Sequence, residues 1–262
     1  MKAIICHAIL LLMITLSSCT KVINVDLNSV APRIVIEGNI DNLPGADTVL
    51  ISTTVNFSAG NTFPAVSGAS VTITDDQGSR EVLKEVLPGK YITATTNGTP
   101  GRKYTLTVST DNKSYTAEST MPQPVNLDSL VIQESSGFGG GSSLQILPVF
   151  TDPLGLGNYY LFKEYRNNKK VENTYIQSDN LSDGLANTRA LRTSGDDKIV
   201  RGDSVRVEMH CIDEATYKYF YSLNQNTNGQ TAAPANPVTN WSNGALGYFS
   251  AHTMQSKSIY IP

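Results

Sequence analysis

Cysteine and histidine are scarce in this 262-residue chain, with three of each, and tryptophan occurs once. Neither of the spacings that announce a structural zinc site or a metalloprotease, CxxC and HExxH, is present. Blocks of like charge are missing as well. Twenty Lys and Arg stand against 23 Asp and Glu for a formal net charge of −3, which offers nucleic acid no basic surface. The one long apolar run, residues 3–16, is shorter than the roughly 20 residues needed to cross the hydrocarbon layer.

That run follows Met1 and Lys2 and ends in Ser17-Ser18, the composition of a signal peptide rather than of a membrane span. Its last residues, Leu16-Ser17-Ser18-Cys19, resemble the bacterial lipobox: an aliphatic residue, two small residues, then the cysteine whose thiol receives the lipid. Cleavage before Cys19 is expected, and several acyl chains on that residue give durable anchoring, since each buried methylene contributes about 0.8 kcal/mol. No other cofactor is expected.

Removing residues 1–18 from the 262 leaves 244, enough for one large or two ordinary domains, and losing Lys2 makes the mature charge −4. Polybasic attraction to a membrane is therefore absent, and anchoring rests on the lipid. Cys6 is discarded and Cys19 acylated, which leaves Cys211 alone. The mature chain has no second thiol for an internal disulfide, and its stability has to come from packing.

From Arg33 onward short β-rich runs alternate with Gly, Asn, Asp and Pro, so a mostly β fold is expected. A first group of strands falls at 33–40, 48–55, 69–74, 80–86, 90–95, 103–109 and 114–119. In Tyr104-Thr105-Leu106-Thr107-Val108 the apolar residues take alternate positions, so one face packs inward. Asp75-Asp76-Gln77-Gly78 and Pro88-Gly89 supply turns. About seven strands in this length suit an immunoglobulin-like or transthyretin-like β-sandwich.

Met121-Pro122-Gln123-Pro124 interrupts the pattern, because proline cannot donate to a ladder, and a domain boundary is expected there. A second group follows at 127–133, 144–150, 159–165, 170–177, 188–193, 204–212, 247–252 and 257–261. One short helix is expected over 214–223, capped by Asp213, with Tyr217, Phe220 and Tyr221 at i, i+3, i+4 spacing. The organisation is thus a cleaved signal at 1–18, a lipidated tether at 19–30, a β-sandwich at 31–122, and a second β-rich domain with one short helix at 125–262. Segments 137–143, 178–187 and 224–240 are expected to be exposed loops, where functional contacts often reside.

Catalytic and metal-binding residues are both expected to be absent. Of the mature chain's two histidines, His210 and His252, the first is beside Cys211, but neighbouring residues of a strand face opposite ways. Cys211 falls with Val205, Val207 and Met209 on the apolar face, and His210 with Arg206 and Glu208 on the other. Asp75-Asp76, Asp152 and Asp196-Asp197 have calcium-type donors, yet none matches the twelve-residue calcium loop and each stands where a turn uses Asp anyway. Arg201-Gly202-Asp203 precedes a strand and is read as a hairpin connection. Aromatics crowd the second half, and Trp241, Tyr248 and Tyr217 are the candidate contacts for a ligand or partner; core filling is the competing role for them.

Phe150-Thr151-Asp152-Pro153-Leu154-Gly155-Leu156-Gly157-Asn158-Tyr159-Tyr160 resembles a segment of the Bacteroidota lipoproteins catalogued as domain of unknown function 4249. Further landmarks of the resemblance are Arg33-Ile34-Val35-Ile36-Glu37-Gly38, Gly68-Ala69-Ser70-Val71, Pro88-Gly89-Lys90-Tyr91 and Gly101-Arg102-Lys103-Tyr104. Tyr115-Thr116-Ala117, Asn236-Pro237 and Leu246-Gly247-Tyr248-Phe249-Ser250-Ala251 complete them, while the link Ser242-Asn243-Gly244-Ala245 is shorter than the family's usual one. The resemblance implies an outer-membrane lipoprotein, often encoded beside TonB-dependent transporters, and brings no catalytic residues. The expectation is a non-enzymatic accessory or binding partner of such a transporter, with the cell-surface face favoured; the alternative is a glycan- or peptide-binding surface lipoprotein acting on its own.

Overall fold

Period-two alternation turns most of the expected runs into strands. In chain order these are β1 (Ile34–Asp41), β2 (Thr48–Thr53), β3 (Ser70–Asp75), β4 (Arg80–Val82), β5 (Lys84–Leu87), β6 (Lys90–Ile92), β7 (Lys103–Thr110) and β8 (Lys113–Thr120). They continue as β9 (Ser129–Ser136), β10 (Ser142–Val149), β11 (Tyr159–Arg166), β12 (Lys169–Ser178), β13 (Ser204–Ile212) and β14 (Leu246–Tyr260), with a helix α1 (Glu214–Thr227) between the last two. The computed structural model describes residues 31–56, 60, 62–136, 142–192, 198–227 and 235–262. The signal segment, Cys19 and the tether lie outside the described residues, as do Asp196 and Asp197.

The fold is mostly β, with three sheets among the described residues. Eight strands run in the order β12-β11-β13-β14-β1-β2-β6-β5, four in the order β4-β3-β7-β8, and β10 pairs with β9 alone. Two hairpins have two-residue turns in which both residues take positive φ: Asp111 and Asn112 (49° and 58°), and Asn167 and Asn168 (48° and 65°). That backbone matches the twist of the flanking strands and suits Asn and Asp.

The first half forms a β-sandwich. Ile36, Ile40, Val49, Ile51 and Tyr91 from the large sheet face Val71, Ile73, Tyr104, Leu106, Val108 and Ala117 from the four-stranded sheet, all buried. Gly38 sits between Ile36 and Ile40 on β1, where a Cβ would lie 2.6 Å from Leu106 Cδ2 and 3.0 Å from Phe249 Cδ2. The glycine lets the two sheets close. A second core packs Leu130 and Ile146 of the β9–β10 hairpin over Phe162, Val205, Val207, Met209 and Cys211.

The boundary at Met121–Pro124 separates these cores but not the sheets. Met121 closes the first core and Leu127 begins the second. Yet β14 pairs in parallel with β1, Ile36 opposite Gly247, and antiparallel with β13. Its Phe249 and Ala251 fill the first core, while its Ile259, with Ile261 just past its end, reaches the second. Pro32–Pro262 is accordingly one compact unit rather than a pair of separable domains at 31–122 and 125–262. A proline pair reports a local break in a ladder; it carries no information about a strand more than 100 residues downstream.

Other departures are local. The run at 80–86 splits at Leu83, which is buried against the first core, and 247–252 and 257–261 form one continuous strand. Of the run expected at 188–193, the described residues 188–192 form no strand, and Leu191 makes only a single bridge to Ile146. Asp213 caps α1 through Thr216 N (2.9 Å), and its other oxygen accepts Ser119 Oγ at 2.7 Å, tying the helix to β8. The buried face of α1 is Thr216, Tyr219 and Phe220, with Leu223 packed at its margin. Tyr217 and Tyr221 stack at 5.9 Å on its flank, so the burying stripe is rotated from the one the aromatic spacing suggested.

Candidate functional site

The three aromatic candidates end in three different environments. Trp241 is only 5% exposed and its Nε1 donates to Ile36 O at 3.0 Å, inside the sandwich core. The segment carrying it is pinned on both sides. Asn240 Nδ2 donates to Phe249 O (2.8 Å) and Asn240 Oδ1 accepts Phe249 N (3.0 Å), while Ser242 Oγ accepts Thr116 N at 2.8 Å. Trp241 is therefore a core residue and offers no face to a ligand, so of its two expected roles it takes core filling rather than contact. Tyr248 is half-buried beneath α1, 4.9 Å from the rings of both Tyr219 and Phe220, and burial pushes its phenol up to about 12. Tyr217 remains accessible on its flank, 4.8 Å from Tyr159.

On the face of the large sheet beneath α1, β13 and β14 bring the histidines together. His210 and His252 lie 4.6 Å apart between ring centroids, both 4% exposed. His252 Nδ1 is 3.1 Å from Ser250 Oγ, and His210 Nε2 is 3.5 Å from Glu208 Oε2. Burial depresses both imidazoles, most strongly His252, and also lowers the Lys163 ammonium beside them. The void they share with Thr216 and Phe220 is about 10 Å³, at the lower limit for one water. No substrate fits there. Cys211 points into the opposite core, where burial raises its thiol above the usual range. These groups cannot act on a common molecule, because β13 separates them.

A much larger concavity lies elsewhere. A groove of about 1040 Å³ runs between the β9–β10 hairpin, β12 and the segment 188–192, at the upper end of the range for small-molecule sites. Six consecutive residues of β12, from Glu172 to Gln177, line it. One face of a strand would contribute only alternate residues, so the groove follows an edge, and β12 is the terminal strand of its sheet. Part of that edge is already held: Asn224 Nδ2 donates to Thr174 O (3.1 Å), and Arg189 Nη2 to Ser178 O (2.7 Å). The lining is polar and of mixed charge, with Glu134 and Glu172 beside Arg189 and Arg192.

The model of the family described as Domain of unknown function (DUF4249) matches residues 20–258. The chain belongs to this family. No curated protein matches it. In this DUF4249 chain the landmark at 150–160 forms the entry to β11 and folds against the loop after β12. The Asp152 main-chain N–H donates to Leu185 O, and Asn187 N donates to Phe150 O. Segment 178–187, expected as an exposed loop, is thus partly built into the body: Asp179 is fully buried and Asn187 is 8% exposed. The groove and this loop pair went unread in the sequence, since each is assembled from segments that are polar and irregular on their own.

Proposed function

We propose that this protein is a lipid-anchored, non-enzymatic binding protein of the outer membrane that serves as an accessory of a TonB-dependent transporter. The groove along the β12 edge is its docking surface. The single observation carrying the reading is that groove: a strand edge facing a polar trough can accept an extended segment by main-chain pairing, with mixed charges setting which segment fits. The lipobox ending at Cys19 supports the anchor, and the resemblance to lipoproteins encoded beside such transporters supports the partner and favours the cell-surface face. The burial of His210, His252 and Cys211 favours binding over chemistry. A second reading, direct capture of a glycan or peptide, draws on the groove's hydrogen-bonding lining.

Extraction with mild detergent tests the first reading. The wild type is expected to co-isolate with an outer-membrane transporter. The double charge reversal Glu172→Lys/Arg192→Glu, at two exposed groove positions, is expected to lower recovery of that partner roughly tenfold, equivalent to about 1.4 kcal/mol, while leaving the melting temperature unchanged. Isolation of the wild type without any outer-membrane partner, together with binding on a glycan or peptide array, would establish the second reading instead.

A further inference from the structure

The open end of the β11–β12 hairpin sets Tyr159 opposite Ser178, so the loops flanking it meet there. There Asp152, Asp179 and Asp183 each place a carboxylate oxygen within 4.8 Å of the others. Asp152 is 3% exposed and Asp179 fully buried. Main-chain donors aim all three: Gly184 N to Asp152 Oδ2 (3.3 Å), Asn158 N to Asp179 Oδ2 (2.8 Å) and Gly155 N to Asp183 Oδ1 (2.7 Å). The Tyr160 hydroxyl donates to Asp152 Oδ1.

What these contacts do not provide is positive charge. Among the described residues no Lys, Arg or His forms an ion pair with any of the three. Asp179 Oδ1 is buried with no hydrogen-bond partner at all. A buried carboxylate clustered with two others and lacking a basic partner is strongly disfavoured unless a proton or a cation neutralises it.

We propose that Asp152, Asp179 and Asp183 form a calcium site that clamps the loop 152–158 to the loop 179–185. The donors are all hard oxygens with no imidazole or thiolate, which selects calcium or magnesium over zinc and copper. Three protein carboxylates carried on loops fit calcium, which takes about 6–8 oxygens in flexible geometry; magnesium keeps most of its waters and is usually held by one or two carboxylates. A cation here supplies the partner that Asp179 Oδ1 lacks. It also steadies the groove, because Arg189, whose guanidinium bonds Ser178 O, reaches Ser182 Oγ (3.2 Å) in the clamped loop.

The test uses the full lipidated chain in detergent, stripped with EDTA and titrated with calcium chloride by calorimetry and thermal melting. One calcium per chain is expected. At free calcium about 100-fold above Kd, the melting temperature should rise by roughly 5–10 °C. Asp183→Asn, at a half-exposed position, should weaken calcium affinity at least tenfold. Asp179→Asn should abolish the calcium shift yet melt in EDTA at or above the wild type, because it removes a repelling charge; a merely structural aspartate would give a variant less stable than wild type in EDTA. The proposal is overturned by a wild type that shows neither binding heat nor shift, by an Asp183→Asn variant with the wild-type response, or by magnesium producing an equal shift.

Discussion

Gly247→Ala is expected to destabilise the protein by roughly 3–5 kcal/mol, among the larger effects a single methyl group can have. Gly247 has a φ of 92°, in the left-handed region that L side chains rarely adopt. A Cβ there would stand 2.1 Å from Ile36 O and 2.8 Å from Ile36 C. Those are backbone atoms of the strand to which β14 pairs, so no rotamer change relieves the clash. Relief requires parting β1 from β14, the parallel pairing that joins the N-terminal sandwich to the C-terminal strands. Denaturation midpoints of the two proteins measure the cost. A variant within about 1 kcal/mol of the wild type would mean that this pairing is looser than described.

Trp241→Ala is expected to cost a similar amount, about 3–5 kcal/mol, the range for deleting a large aromatic from a core. Its indole is buried among Ile36, Phe249 and their neighbours and donates to Ile36 O, so the same carbonyl constrains both predictions. Trp241→Phe separates the contributions: the ring volume is largely kept, and the loss should be smaller, about 1–3 kcal/mol for an acceptor left without its donor. Because the chain has a single tryptophan, its fluorescence reports this residue alone. Emission should be blue-shifted, as for an indole in a dry core. A red-shifted emission, or Trp241→Ala melting like the wild type while losing a ligand, would restore Trp241 as a binding residue.

Strands were legible wherever burial is one-sided. In β7 the apolar residues alternate toward one core; in β13 the same alternation puts Cys211 and His210 on the faces assigned to them, although both faces of that strand are buried. The Asp213 cap and the start of α1 were legible for the same local reason. What could not be read is whatever depends on partners distant in sequence. The parallel register of β1 and β14 joins residues more than 200 positions apart. Trp241 reads as a loop aromatic because the contacts that bury it come from β1, β8 and β14.

The aspartate cluster was half visible. Asp152 stood out beside a proline and two glycines, and turn chemistry accounted for it on local grounds. Asp179 and Asp183 join it only through the β11–β12 register, in which a bulge between Lys163 and Tyr165 shifts every pair beyond it. Counting outward from the Asn167–Asn168 turn therefore misplaces the far end of the hairpin. The groove is harder still, since an edge strand carries no signature of being an edge until its neighbours are placed.

The proposed function requires a lipid anchor at Cys19. The most direct measurement is mass spectrometry of the N-terminal peptide from protein extracted from its native membrane. The expected result is a mature chain that begins at Cys19, with that residue carrying a diacylglyceryl group and an acyl chain, and no peptide from residues 1–18. A mature chain that begins at any other residue, or an unmodified Cys19 thiol, would contradict it.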